Sequence, residues 1–290
     1  MKNRSAGDRL FQALNYTLLG LMAVVTCFPV YYVLVVSFTD PAEYLQNKWV
    51  LFPKQWSWAS YDYLLSTKAF MRSIGNSVFL AVVGTACSLT VSASLAYALS
   101  RRRLLGRRVL MLMILLTILF SPGIIPHYML VRQIGLIGSI WALIIPALAS
   151  GWIVILMKGF FDSIPAELDE SAAMDGSNDI RTWFQIVLPL SLPALAAFGL
   201  FYAVGFWNQF FNALLYLNDS SKWPIQVLLQ SMLINAASTD LEASGDYAQP
   251  PPTEMLKMAA VMIATVPILI VYPFLQKHFA KGAMVGSIKG

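Results

Sequence analysis

Six times along this chain an apolar stretch of bilayer-crossing length passes without a single Asp, Glu, Lys or Arg. A hydrocarbon core of roughly 30 Å offers backbone N–H and C=O groups no water, so a chain crosses it as helices or as a closed barrel, and apolar runs of about 20 residues select helices. The runs are residues 10–38, 76–99, 109–130, 140–157, 190–217 and 258–276. Composition agrees: 58% of residues are apolar and 12% charged, where soluble domains carry roughly a quarter charged. The expectation is an all-α membrane protein of six transmembrane helices, one domain over residues 1–290, with membrane lipid around it.

The first run follows Lys2, Arg4 and Arg9 but continues to Phe38 without a small-residue cleavage pattern, which reads as an uncleaved helix and not as a secretory signal. Cys27 and Cys87 fall inside runs and read as small apolar side chains, not as a disulfide framework. Basic residues resist translocation, so the cluster Arg101, Arg102, Arg103, Arg107 and Arg108 belongs in the cytoplasm. An even number of spans then puts both termini, residues 158–189 and Lys277, Lys281 and Lys289 on the same side, and residues 39–75 and 218–257 outside. Lys48, Lys54, Lys68 and Arg72 in the first outer loop are a mild exception to the rule. The pI of 9.2 and net charge of +5 reflect this topology and call for no nucleic acid.

Charge-free spans also exclude chemistry. Ion-coupled carriers keep ionisable groups inside the membrane because such groups are tolerated there only when they work, and here His127 is the one intramembrane imidazole. No second His or Cys is placed to join it on a metal. Following Ser121, Pro122, Gly123 and Pro126, where the third helix should be kinked or locally unwound, it either repairs a freed backbone carbonyl or sits near the outer interface. The chain also lacks a G-x-x-x-x-G-K-[ST] phosphate loop. Energy must therefore come from elsewhere, and a separate ATPase subunit is the simplest supplier.

One polar segment interrupts the apolar runs. Pro165 suits a helix start and Gly176 a left-handed helix end, bounding about three turns that carry Glu167, Asp169, Glu170 and Asp175 beside Ala172 and Ala173. Ser177 or Asn178 suits the cap of a second short helix. On these residues alone, a solvated acidic helix-turn-helix and a docking element stand as alternatives; small side chains permit close approach and carboxylates hold a partner's Arg or Lys. The spacing of Glu170, Ser171, Ala172, Gly176, Ile186, Leu188 and Pro189, however, resembles the EAA signature of permease subunits of binding-protein-dependent ABC importers. Ser171 replaces the usual alanine, a small-for-small change.

The resemblance covers the whole chain and implies a type I (MetI-like) permease in the bacterial cytoplasmic inner membrane, with residues 158–189 as its cytoplasmic coupling loop. NSVFLAVVGTACSLTVSASLAYALSR (76–101) and GFWNQFFNALLYLND (205–219) look like carbohydrate permeases of the MalG type. The stretch 266–290 is similar to the branch containing LplC, YtcP and the second permease of the alginate importer. This implies transport of oligosaccharides, including acidic polysaccharide fragments, by half of a pathway that is not itself an enzyme. The implied partners are a second, homologous permease, two ATP-binding subunits that hold ATP and Mg, and an extracytoplasmic solute-binding protein; no cofactor belongs to this chain. By resemblance Glu170 pairs with a basic residue of the ATPase, with Asp175 beside it, and Gly176 permits the turn. Gly282, Gly286 and Gly290 on the tail are a second ATPase contact, while Lys277 and Lys281 are read equally as inner-face anchors. The loop 218–257, with a helix-like run Ile225–Ile234, meets the binding protein or simply covers the outer mouth.

In the fifth run Gly205, Asn208 and Asn212 recur at helical spacing, flanked by Trp207 and Phe211. Carboxamides in a span face other helices or a wet cavity, so Trp207, Asn208, Phe211 and Asn212 either contact sugar or belong to an interfacial aromatic belt. Two rivals stand beside the sugar permease. An ABC permease for peptides or other small solutes shares the signature; an intramembrane lipid-modifying enzyme would need a cluster of catalytic groups that the spans lack.

Overall fold

The apolar runs all fold as helix, but three of them are broken. The computed structural model describes residues 6–101, 103–234 and 250–286. In chain order the helices are α1 (Ala6–Ser37), α2 (Pro41–Gln46), α3 (Ala59–Ser66), α4 (Lys68–Ser100), α5 (Arg107–Leu119), α6 (Ile124–Gln133) and α7 (Trp141–Ala147). They continue as α8 (Gly151–Asp162), α9 (Ala166–Met174), α10 (Asp179–Leu190), α11 (Leu192–Trp207), α12 (Phe211–Tyr216), α13 (Ile225–Ile234) and α14 (Thr253–Gly286). Among the described residues an isolated bridge between Thr39 and Trp56 is the extent of β pairing.

Three helices are long and apolar enough to cross a bilayer alone: Leu10–Ser37, Lys68–Ser100 and Thr253–Phe274. The count reaches six when each of three bent pairs is one span: α5 with α6 (118°), α7 with α8 (48°) and α10 with α11 (82°). The bends sit where the backbone chemistry puts them. Pro122 and Gly123, the latter at φ 82°, separate α5 from α6; Pro146 precedes the second break; Pro189 and Pro193 flank Ser191 in the third. Several expected boundaries therefore move. The second span starts at Lys68 and not at 76, the sixth at Thr253 and not at 258, and the fifth is not one helix over 190–217: it ends at Trp207 and resumes at Phe211.

The chain forms two compact units. The first comprises residues 1–71 and 231–266, the second 72–230 and 267–290. The first buries Val35, Val36, Leu64, Phe70, Met255, Ala259 and Ala260, and the Ser37 hydroxyl bonds the Tyr61 hydroxyl at 2.7 Å.

In the second unit, α4 and α8 lie close because α4 presents Ser88, Ser92, Ala93 and Ala96, all buried, to its neighbours. Without a hydrophobic drive between helices in lipid, small residues and polar cross-links set such contacts. The break between α7 and α8 is repaired accordingly. Ser88 donates to the Ala147 carbonyl and Ser92 to that of Leu148, each at 3.2 Å. Since the Ser92 hydrogen is used there, Tyr202 donates its own to Ser92 (2.6 Å) and accepts from the Ser150 N–H (3.2 Å). Two apolar clusters surround this seam, one around Leu80, Ile144, Phe206 and Tyr216, the other around Tyr97, Met157, Phe161 and Trp183.

Within α4 a π turn, Leu80–Gly84, brings the backbone against the Phe206 ring. A Cβ at Gly84 would meet three atoms of that ring at 2.9 Å. Alanine in place of a helical glycine normally stabilises by about 1 kcal/mol, but overpacking costs about 1–3 kcal/mol, so the clash wins. Gly84→Ala is expected to lower the melting temperature of the purified protein; an unchanged or raised value would refute the close approach.

Candidate coupling site

The acidic insert folds as two short helices at nearly the ideal turn for its residues. The α9 helix opens after Pro165 (φ −55°, ψ 132°) and closes in a Schellman motif. The Ser177 N–H reaches the Ala172 carbonyl (2.9 Å) and the Gly176 N–H that of Ala173 (3.0 Å), with Gly176 left-handed at φ 75°. Asn178 then caps α10, its Oδ1 accepting from the Arg181 N–H at 2.8 Å. The Ser171 hydroxyl donates to the Glu167 carbonyl one turn back (2.7 Å). Satisfied within its own helix, Ser171 presents little more than an alanine would.

Helical spacing divides the carboxylates. Glu167, Glu170 and Met174 share one exposed face, whereas Asp169 and the buried Ala172 turn inward. Asp169 pairs with Arg101 at the end of α4, and Asp179 on α10 pairs with Arg103. Arg107 lies 3.5 Å from Asp162 at the end of α8, which also pairs with Lys158. The basic cluster thus brackets both short helices. Of the four acidic residues bounded by Pro165 and Gly176, Asp169 is held within the chain, and Glu167, Glu170 and Asp175 remain exposed.

Behind these pairs stands an aromatic wedge. The Arg101 guanidinium lies 4.2 Å from the centre of the Tyr97 ring, a cation–π contact that desolvation strengthens. Tyr97 in turn meets Trp183 (4.6 Å between centroids), and Phe161 meets Trp183 edge-on at 5.6 Å. The Tyr97 hydroxyl donates to the Asp179 carbonyl (3.3 Å). Trp183 opens a π turn, Trp183–Val187, in which the Leu188 N–H bonds the Trp183 carbonyl five residues back, just ahead of Pro189. Ile186 and Leu188 are half-buried beside it and Pro189 is exposed. A displacement of α9 or α10 therefore has a short packed route to the ends of α4 and α8.

Three apolar side chains that the sequence did not single out complete the surface. Met174 is 89% exposed, Ile180 69% and Phe184 61%. Their only signal was apolar character in a segment outside the spans. Met174 shares the exposed face of α9 with Glu170, and Ile180 and Phe184, four residues apart, share one face beyond it.

The other candidates are dispersed. Trp207 is buried, at the end of α11. Asn208 follows the end of α11, exposed, and accepts from the Gln226 side chain at 3.4 Å. Phe211 and Asn212, also exposed, begin α12. The helical spacing of Asn208 and Asn212 is thus not realised, because residues 208–210 are not helical; Asn, whose side chain competes for backbone partners, is a weak helix former. His127 lies on α6 with its ring 6.3 Å from that of Tyr216. Gly282 and Gly286 lie on α14; Gly290 lies outside the described residues, as does Arg102.

Residues 88–285 match the family described as "Binding-protein-dependent transport system inner membrane component". The chain belongs to that family. It is 47% identical, over 98% of its length and 99% of the relative's, to the polygalacturonan/rhamnogalacturonan transport system permease protein YtcP of Bacillus subtilis strain 168. It is 46% identical to the protein LplC of the same organism, over 100% and 98% of the two chains. A crystal structure of a bacterial ABC transporter involved in import of the acidic polysaccharide alginate contains a chain that superposes with a TM-score of 0.88 at 32% identity, covering 96% of this chain and 100% of that one. As a permease of this family, the chain is a transport subunit in the inner membrane and not itself a catalyst. All of the candidate coupling residues fall within the matched region.

Proposed function

We propose that this permease forms half of the pathway of an ABC importer for uronate-bearing oligosaccharides, and that α9 is where it receives the motion of a separate ATPase. The observation that carries the coupling role is the division of the insert: Glu170 and Met174 face outward while Asp169 faces inward onto Arg101. One face is left for a partner and the other is tied to the helices that line the second unit. ATP and Mg belong to two ATP-binding subunits, the other half of the pathway to a second permease, and delivery to an extracytoplasmic binding protein. Both termini and the Arg101–Arg108 cluster lie in the cytoplasm, as the distribution of basic residues favours. The substrate class is supported by relatives named for polygalacturonan/rhamnogalacturonan transport and alginate import.

Closure of the ATPase pair upon ATP draws together the coupling helices of the two permeases. In this chain that movement passes from α9 through Asp169 and Arg101 to α4 and through Trp183 to α8, so the pathway formed with the second permease changes the side to which it opens. A photo-activatable phenylalanine analogue at Met174, in the complex assembled with its cognate partners, is expected to cross-link to the ATP-binding subunit; cross-linking to the binding protein instead would overturn both topology and coupling. Uptake of oligogalacturonides into vesicles, with maltooligosaccharides as the comparison, tests the substrate: preference for the neutral sugars would refute it.

A further inference from the structure

The loop between α1 and α3 holds two features that a coupling role does not use: Lys48 and Lys54, which break the charge asymmetry, and an unusual density of exposed apolar side chains. Leu45, Trp49, Leu51, Phe52, Trp56 and Trp58 are all between 55% and 76% exposed. Singly such residues need no explanation; clustered within one short loop they mark a surface that meets something apolar.

The backbone shows where the loop sits. The Tyr31 hydroxyl donates to the Leu51 carbonyl (2.7 Å) and that of Tyr32 to the Lys48 carbonyl (3.3 Å). The Trp49 ring lies 6.0 Å from Tyr32, which stacks on Phe28 at 6.3 Å. The loop thus folds back along α1 instead of projecting beyond it. Tyr31 and Tyr32 precede the end of the span Leu10–Ser37 by six and five residues, about 8–9 Å along the axis. That span, 28 residues long, measures about 42 Å, whereas the hydrocarbon core is about 30 Å thick and the bilayer with its headgroups about 40–45 Å. The tethered segment therefore lies at the boundary of acyl chains and headgroups, where Trp and Tyr concentrate.

Its shape is fixed in advance. The Glu43 carboxylate accepts from the Lys54 and Gln55 N–H groups at 3.0–3.1 Å, and Ser57 donates its N–H to the Phe38 carbonyl at 2.8 Å. Phe38 packs against Trp58 (4.8 Å) and Tyr61 (4.6 Å), and Phe52 against Trp56 (6.0 Å). Lys48 and Lys54 are exposed, and neither forms an ion pair among the described residues.

We propose that residues 45–58 are a membrane-interface anchor, seating Trp49, Leu51 and Phe52 in the leaflet at the C-terminal end of α1, with Lys48 and Lys54 reaching the phosphates of anionic lipid headgroups. Continuity with the apolar flank of α1 selects lipid over a soluble partner, which would approach from water and not from beneath the rim of the helix. Long basic side chains lie along apolar surface and bring their ammonium groups to headgroup level, and each contributes attraction to anionic lipid. This explains why the loop tolerates lysines on the disfavoured side.

The inference rests on the membrane-spanning reading of α1 and is measured independently of transport. In the Cys27→Ser, Cys87→Ser protein, a spin label at Phe52→Cys is compared with one at the exposed Asn218→Cys, in the assembled complex in phosphatidylcholine vesicles with and without phosphatidylglycerol. The ratio of oxygen to water-soluble nickel-chelate accessibility is expected to be several-fold higher at position 52, and higher again with phosphatidylglycerol unless Lys48→Gln and Lys54→Gln are present. A ratio at 52 equal to that at 218 would overturn the anchor, as would protection appearing only on addition of the binding protein. An unchanged ratio with phosphatidylglycerol would overturn the headgroup role of the lysines.

Discussion

Gly176→Val is expected to cut uptake about tenfold or more while leaving the chain in the membrane. The site is open: a Cβ there would meet nothing within 4 Å, so the cost is one of backbone and not of packing. At φ 75° an L-residue pays roughly 1–2 kcal/mol, with β-branched side chains worst placed, and that energy is about a tenfold change in the population of the turn. Losing the turn frees the carbonyls of Ala172 and Ala173 from Ser177 and Gly176. A helix of nine residues has little stability of its own, so the angle between α9 and α10 and the alignment of Glu170 and Met174 with Ile180 go with it. Gly176→Asn is the control, since Asn accepts the left-handed region; it should keep uptake within about twofold of the parent. The ratio of substrate-stimulated ATP hydrolysis to uptake in vesicles is the measurement. Full transport by the valine variant would remove Gly176 from the coupling device.

What the sequence revealed about this region was what depends on neighbours in the chain. The left-handed glycine, a cap at Ser177 or Asn178 and the helix Ile225–Ile234 are local decisions of backbone and side chain, and all are found in the structure, with Asn178 as the cap. So were the six apolar runs, because the solvent alone demands them. The breaks were less legible. Pro122 and Gly123 announced the first, whereas the end of α11 at Trp207 was marked only by the weak helix former Asn208, in a charge-free run that continues through residues 208–210 without helix. Least legible was the direction of each carboxylate. Asp169 and Glu170 are adjacent and alike in charge; what separates them is Arg101, which arrives from 68 residues away. Arg101 itself reads in the sequence only as a topology signal, since its stacking on Tyr97 and its bond to Asp169 exist only once α4 and α9 are brought together.

Breaking that bond should uncouple the machine without dismantling it. Arg101 and Asp169 are 14% and 33% exposed at the side chain, between the surface limit, where a pair contributes at most about 1 kcal/mol, and the buried limit, where stranding one partner costs about 3–5 kcal/mol. Asp169→Asn should therefore destabilise the protein by about 2 kcal/mol, tolerable for helices held by their own backbone bonds and by lipid. The functional effect is expected to be larger, because this pair is the polar tie from α9 to α4, with the Arg101 Nε already buried and unpaired. The variant should still dock its ATPase through Glu170 and Met174, yet pass less of the movement onward, so ATP consumed per sugar imported rises several-fold. Glu170→Gln should do the reverse, weakening assembly with the ATPase while leaving that ratio near its parent value in complexes that form. Arg101→Lys keeps the charge but loses the planar fork and its stacking on Tyr97, and should fall between parent and Asp169→Asn. The double exchange Arg101→Asp with Asp169→Arg restores the ion pair in reverse and should recover part of the coupling; if it recovers the melting temperature but none of the coupling, the pair stabilises the insert and the tie to α4 lies in the Tyr97–Trp183 contact.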